Sequence, residues 1–357
     1  MLPFSFVPLT YDMIENRELK YRFIEDMKLP ITVMEDGPFE YLVNLYEGMF
    51  KTKTLWEEIL QGVEKAFGGN PKAFIDSYFQ GREALLQGIL QSPWYDVFNK
   101  KDLQEYSATN KEFDYIPEKL PKNNIYNESK VGQYYLSIDI SRANYQALSS
   151  ISPDFFTGVP VGPEEGKKPK ELYDKWVDAV IGDKCPESVK NYIKKSKHLR
   201  VVVFGNTNPS RQMTIEKWMI TKAAGPIKEF IGDKGEIITR DNDEIIFALG
   251  PDPVEIDWEG LLKVRDWVAA EQQTYVNPQV FFLKSVEYKT VTDQSVRAYL
   301  KEFSDGTYEM KGVTKNYMAQ IYEDLHSIPP QPNDYDLLFY FENREPVKFL
   351  NRITRVC

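Results

Sequence analysis

The chain reads as an α+β protein with a central antiparallel sheet. Three observations predict this: a β-rich run ending on an acid at residues 132–141, a block of helical periodicity behind it, and an acidic hairpin followed by a β-rich tail. Residues 1–50 are mixed, with an amphipathic opening and short turns. Leu55, Ile59, Val63 and Ala66 recur at helical spacing, and "GGNP" (68–71) ends that helix. A second helix runs to about Leu90, with Phe74, Tyr78, Leu85 and Ile89 on one side. The polar, proline-containing stretch 115–130 reads as a linker.

"GQYYLSIDIS" (132–141) is the β-rich run, and it leads into a short helix, "RANYQALSSI". A charged loop, "PVGPEEGKKPK", precedes helices over 169–181 and 186–196. The second continues into "KKSKHLRVVVF", the most basic short window of the chain. "QMTIEKWMITKAAGPIKEFIG" is a long helical pattern, followed by the hairpin "IITRDNDEIIFAL" (237–249). A helix over 258–270 then leads into strands around a turn at Ser304–Asp305–Gly306, a helix over 317–325, and a last strand, "YDLLFYFE".

Composition narrows the function classes. Hydrophobic residues make up 42% of the 357, enough for a real core, and 22 Tyr, 21 Phe and 6 Trp argue against disorder. The net charge of −10 argues against a generic polyanion binder, and any nucleic-acid contact must come from local basic patches. Cys185 and Cys357 cannot make a disulfide framework or a zinc site, and two histidines, His198 and His326, leave little room for histidine-based chemistry. The first residues lack a basic run, and no apolar stretch approaches about 18 residues, so a soluble intracellular protein without a membrane span is expected.

The candidate chemistry lies in three carboxylates. Asp139 ends a strand, and Asp241 and Asp243 sit at a hairpin tip. Carboxylates on adjacent strands suit two Mg²⁺ ions about 3.5–4 Å apart, the arrangement used for in-line phosphoryl transfer. Taken alone, Asp-x-Asp in a turn is ordinary hairpin chemistry in a chain with 54 acidic residues.

The order of segments adds a resemblance. "YYLSIDISRANYQALSSISP" resembles motif A of the family B DNA polymerases, and "KKSKHLRVVVFGNTNP" stands where motif B stands. "EKWMITKAAGPIKEFIGDKGEIITRDNDEIIF" looks like the palm helix and motif C, whose Asp-Thr-Asp core reads Asp241-Asn242-Asp243 here. "EYKTVTDQSVRAYLKEFSDGTYEMKGV" is similar to the segment after motif C, with its Lys-Lys-Arg-Tyr-like element and Lys-Gly hairpin. The match spans about residues 130–325 and has departures: Phe204 replaces the motif B asparagine, and Thr239 and Arg240 stand where motif C has Tyr-Gly.

The resemblance implies a right-hand fold with a palm sheet, helical fingers and a small thumb, behind a helical N-terminal docking lobe. The lobe would cover 1–130, the motif A palm 131–159, the fingers 160–205, the remaining palm 206–285, and the palm end and thumb 286–357. It implies a DNA-directed DNA polymerase with two Mg²⁺, in which Asp139 and Asp243 are the principal metal ligands and Asp241 a supporting one. Arg200, Lys194 and Lys197, the lysines read as one turn apart on one helix, would meet the triphosphate. Arg297, Tyr299 and Lys311 would meet primer-template. The sugar-gate position falls on Asn144 or, one residue on, Tyr145; the first tolerates ribonucleotides and the second excludes them. The expected partners are primer-template, nucleoside triphosphates and other subunits, since 1–130 holds no exonuclease signature; the family's distribution suggests a virus or mobile element. Two alternatives stay open: an inactive polymerase-like scaffold, and a primase or RNA polymerase on the same palm.

Overall fold

A computed structural model describes residues 11–106, 125–152, 154–156, 168–253, 255–329, 339–342, 345–349 and 353–356. Among them the helices are α1 (Tyr11–Met27), α2 (Asp36–Leu45), α3 (Glu47–Phe50), α4 (Thr52–Phe67), α5 (Pro71–Leu90), α6 (Pro93–Lys100), α7 (Ala143–Ser149), α8 (Pro169–Ile181), α9 (Glu187–Lys195), α10 (Lys197–Gly205), α11 (Pro209–Ile231), α12 (Trp258–Gln272) and α13 (Lys315–Leu325). The strands are β1 (Gln133–Ile140), β2 (Glu236–Arg240), β3 (Glu244–Gly250), β4 (Val276–Thr290), β5 (Ser295–Phe303), β6 (Tyr308–Lys311), β7 (Phe339–Glu342), β8 (Glu345–Phe349) and β9 (Ile353–Arg355). The α+β expectation holds: helices accompany an antiparallel sheet. None of the described helices is long and apolar enough to cross a membrane.

The chain divides into two compact units. The first comprises Met1–Ala84, Ile181–Val201 and Thr314–Ile353. Its core is aromatic, with Phe23, Phe39 and Trp56 in mutual ring contact and Phe74 and Tyr78 against Tyr192. One carboxylate, Asp26, is fully buried there and accepts from the hydroxyls of Tyr78 (2.9 Å) and Tyr192 (2.7 Å). Those bonds satisfy it, as burial of a polar group requires. Residues 11–50, read as mixed, are mostly helix, because Leu19, Phe23, Phe39, Leu42 and Val43 find partners that no local pattern discloses.

The second unit comprises Leu85–Val180, Val202–Val313 and Thr354–Cys357. Its sheet has the order β2-β3-β1-β4-β5-β6, antiparallel throughout, and β9 also pairs with β4. The central strands are buried on both sides. Leu136, Ile138, Ile245 and Phe247 lie on one face, and α11 packs against β1 and β3. On the other, Ile125, Tyr135, Ile246, Phe281 and Leu283 form a closed cluster. The 23-residue α11 turns an inner stripe of Ile215, Met219, Ile220, Ala223, Ala224 and Ile227 inward, and Pro209 at its start needs no hydrogen-bonded N–H.

Several expectations shift. Lys194 and Lys197 are not on one helix: α9 ends at Lys195, Ser196 adopts an extended backbone, and its Oγ accepts from the Leu199 N–H (2.9 Å) to start α10. Of the linker 115–130, residues 125–127 form a turn, Glu128–Lys130 a single 3₁₀ turn, and the rest lie outside the described residues. Most of the charged loop and the first half of the last strand also lie outside them, while 339–342 are strand as expected.

Candidate active site

The site is built at the end of β1, where the chain turns sharply into α7. Arg142 makes that turn with φ +58, a left-handed conformation that non-glycine residues rarely take. Gln146 then fixes α7: its Nε2 donates to the carbonyls of Ser141 (2.5 Å) and Tyr275 (2.8 Å), and its Oε1 accepts from the Tyr275 N–H (2.8 Å).

Side chains alternate along strands, so the registers place Asp139 and Tyr135 on one sheet face with Glu244, Phe281 and Lys301. The direct partner of Asp139 across β3 is therefore Glu244, not Asp243. The two form a non-hydrogen-bonded pair, because the Ile140 N–H donates to the Asp243 carbonyl one step along (2.8 Å). Cα atoms in such pairs are only about 4.5 Å apart. Glu244 is pinned there by the Ser137 hydroxyl, which donates to it (2.6 Å), and by the Lys301 ammonium at 3.5 Å. Lys301 is itself 8% exposed and lies over the Phe281 ring.

The hairpin tip divides its two aspartates between tasks. The Asp241 N–H donates to the Glu244 carbonyl (2.8 Å), and the Asp241 carboxylate accepts from the Asn242 N–H (2.9 Å). Asp241 thus serves the turn, as aspartates in turns do. Asp243 follows it toward β1, and Arg240 points a guanidinium N–H at the Thr221 hydroxyl of α11 (3.4 Å). Among the described residues no group of three or more His, Cys, Asp or Glu side chains is arranged to hold a metal ion, so Asp139, Asp241 and Asp243 do not converge as a three-donor claw.

Electrostatics nonetheless draw Asp139 and Asp243 into one site. The Asp139 side chain reaches solvent at the strand end, but the protein around its other sides raises its pKa to about 7, with Asp243 and then Glu244 adding to the effect and Lys301 opposing it. Burial also raises Asp243, followed by repulsion from Asp241 and Glu244. A fourth acid joins from α11: Glu216, 4% exposed, is pushed up to about 7 by burial and then by Asp243. Glu216 is missing from the sequence-based site. The signal was present, since Gln212 and Glu216 fall on the buried stripe of an amphipathic helix, where a charge needs a reason.

Asn144 and Tyr145 take opposite directions from α7. Tyr145 is core, stacked on Phe156 at 4.3 Å and edge-on to Tyr173. Asn144 is half-buried, and its Nδ2 donates to Glu216 (2.7 Å) and to Gln212 Oε1 (3.1 Å).

The remaining expected site residues fall on β5 and β6 of the second unit or in the first unit. Arg297, Tyr299 and Lys311 share the sheet face of Asp139, along β5 and β6. Arg297 bridges Glu128 (3.1 Å) and Glu287, Lys311 pairs with Glu309 (2.7 Å), and Tyr299 packs beside Tyr126. Lys194, Lys197 and Arg200 belong to the first unit, where Lys194 lies 3.7 Å from Glu187 and Arg200 donates to the Lys194 carbonyl (3.3 Å). Lys197 is exposed.

The donor chemistry fits a hard cation. Asp139, Asp243 and Glu216 offer only carboxylate oxygens, and burial with repulsion from neighbouring acids leaves their charge poorly compensated, whereas Glu244 is matched by Lys301. Mg²⁺ is ordinarily held by one or two carboxylates plus substrate phosphates, so a three-donor cage is not required. No family model matches the chain, and no curated protein is similar to it.

Proposed function

We propose that the second unit is the palm of a template-directed nucleotidyltransferase that extends a primer 3′-end, the resemblance pointing to a DNA-directed DNA polymerase. One observation carries the reading. Asp243 at the tip of the β2–β3 hairpin adds negative charge beside the buried Asp139 at the end of β1 and beside Glu216 of the long helix α11. That is the order and placement the motif resemblance requires. Asp139 and Asp243 would hold Mg²⁺, which when bound makes the 3′-hydroxyl a better nucleophile and neutralises charge on the triphosphate.

The chain's own residues do the positioning. β1 carries Asp139 at its end, next to the β2–β3 tip, Asp241 closes the turn that presents Asp243 there, and Glu216 keeps Asn144 beside them. Arg297, Tyr299 and Lys311, on the same face as Asp139, are the candidate contacts to the nucleic-acid backbone, and Lys194, Lys197 and Arg200 the candidates for phosphates. The helical N-terminal segments would serve as a docking surface for other subunits.

A second reading draws on Glu244. The carboxylate opposite Asp139 is already engaged by Ser137 and Lys301, which suits a palm-like scaffold without catalysis. Primer extension separates the two. Purified protein with Mg²⁺, primed template and triphosphates is expected to extend the primer, and Asp139→Ala or Asp243→Ala to abolish extension without loss of fold by circular dichroism. Wild-type-level incorporation by either variant would remove the catalytic reading.

A further inference from the structure

In the first unit, basic side chains from three segments cluster around Lys28. Lys28 follows the end of α1, His198 lies in the first turn of α10, and Lys315 opens α13. Lys28 has φ +57, the left-handed position where a helix ordinarily ends on glycine. Its N–H donates to the Glu25 carbonyl (3.2 Å) and the Leu29 N–H to that of Ile24 (2.9 Å), the paired closure of a helix end. This turn brings the Lys28 ammonium to 2.9 Å from His198 Nδ1. An ammonium only donates, so Nδ1 accepts, the imidazole is neutral, and its one N–H is on Nε2. His198 and Lys315 stand beside the positive ends of two helix dipoles, and neither first turn carries an acid. The protein packed around His198 lowers its pKa, and Lys28 adds to the effect. Lys315 is lowered in the same way, with Glu25 opposing and Lys28 adding. Counter-charge is short. Glu25 reaches His198 and Lys315 only through space, and the buried Asp26 is engaged by Tyr78 and Tyr192. Arg22, a further cation acting on His198, lies 3.8 Å from Glu18.

We infer that Lys28, His198 and Lys315 bind a phosphate group, carried by a nucleic-acid backbone or by a free phosphate compound. Three cation-bearing or N–H-bearing side chains, held against one another and against helix dipoles, gain from an anion between them. The donors come from three segments, so they approach the ligand from different directions. A tetrahedral phosphate presents oxygens in several directions, whereas a carboxylate presents two in one plane, and lysine ammoniums bind phosphate as point charges. The neutral imidazole contributes its Nε2–H, a donor that the Lys28 contact fixes in place. None of the three residues is among those that the polymerase resemblance assigns.

The chain has only two histidines, His198 and His326, so ¹⁵N-imidazole NMR of the full chain reads the site directly. Inorganic phosphate is expected to shift the His198 ring signals saturably and to leave those of His326 in place, while acetate at matched ionic strength shifts neither. A thymidine oligonucleotide without a terminal phosphate forms the second arm. Saturation by the oligonucleotide at lower concentration than inorganic phosphate identifies a backbone phosphate; saturation by inorganic phosphate alone identifies a free phosphate compound. Lys28→Gly removes the ammonium at a φ that glycine adopts freely, so the fold is expected to hold. Phosphate affinity should then fall about tenfold, as for loss of one hydrogen bond to a charged group, and Lys315→Met should weaken it similarly. His198 signals that stay in place in both arms, a measurement that needs no variant, overturn the inference. So does an equal response to acetate, or unchanged phosphate affinity in Lys28→Gly that is folded by circular dichroism.

Discussion

Replacing Glu216 by Gln is expected to stabilise the protein at alkaline pH and to do little in acid. In the unfolded chain this carboxyl ionises near its ordinary value of 4.5, whereas in the fold burial, and then Asp243, hold it at about 7. Between those values the native state keeps a proton that the unfolded state has lost, so stability falls as pH rises. The contribution is fully present below about 4.5 and gone above about 7. By pH 8 the ionised, buried Glu216 costs about 3 kcal/mol relative to the unfolded chain. Gln keeps an oxygen for Asn144 Nδ2 to donate to and removes the charge that repels Asp243. Its new N–H group needs an acceptor, which recovers only part of the cost, so a net gain of about 1.5–2 kcal/mol is expected. In a unit of about 200 residues that is a rise of roughly 5 °C in Tm. Thermal melts of wild type and Glu216→Gln in EDTA at pH 5 and pH 8 measure it. An equal shift at both pH values, or a loss at pH 8, would show that Glu216 is not held uncompensated against Asp243 and would refute the reasoning.

Three further substitutions probe the sheet and the turns beside it. Lys301→Met keeps the stem over Phe281 but removes the one cation that lowers the Asp139 pKa, so that pKa should climb beyond about 7; a ¹³C-carboxyl titration of Asp139 that is unchanged in the variant contradicts the assignment. Gly312→Ala places a Cβ 2.9 Å from the Tyr299 ring at φ +74, while Gly306→Ala, at φ +80, meets nothing within 4 Å. The second variant should lose about 1–2 kcal/mol from backbone strain alone and the first about 1 kcal/mol more; denaturant melts that rank them equally dispose of the Tyr299 contact.

How far the sequence disclosed this depends on the range of the forces involved. α8 was legible to the residue, and β1, α7, α11 and the β2–β3 hairpin nearly so, because periodicity, Pro209 and the acidic tip are local signals. The break at Ser196 was not, because a serine in a basic run reads equally well as helix until its hydroxyl caps the next turn. Register was the larger gap. The sequence put Asp139 and the hairpin acids on adjacent strands without a register, and a shift of one residue in strand pairing changes the facing carboxylate; that Glu244 faces Asp139 is set only by the fold. Glu216 lies outside every motif. Its role depends on which face of α11 turns inward, and Asn144 and Asp243 approach that face from residues far away in sequence.

The same comparison recasts the hairpin "IITRDNDEIIFAL". Turn and active site compete only if every acid at the tip is asked to do one thing. Asp241 spends its carboxylate on the Asn242 N–H and its own N–H on Glu244, which tightens the two-residue tip. That tightening puts Asp243 in the position where its carbonyl receives the Ile140 N–H and its carboxylate adds to the charge at both Asp139 and Glu216. Glu244, next along, is neutralised by Lys301, which leaves Asp139, Asp243 and Glu216 with more negative charge than the protein offsets. A fold that only needed a turn would gain stability by placing amides at those three positions, since each carboxyl is held above its ordinary value. Keeping acids where they cost stability is the pattern of a site that waits for positive charge from outside the chain.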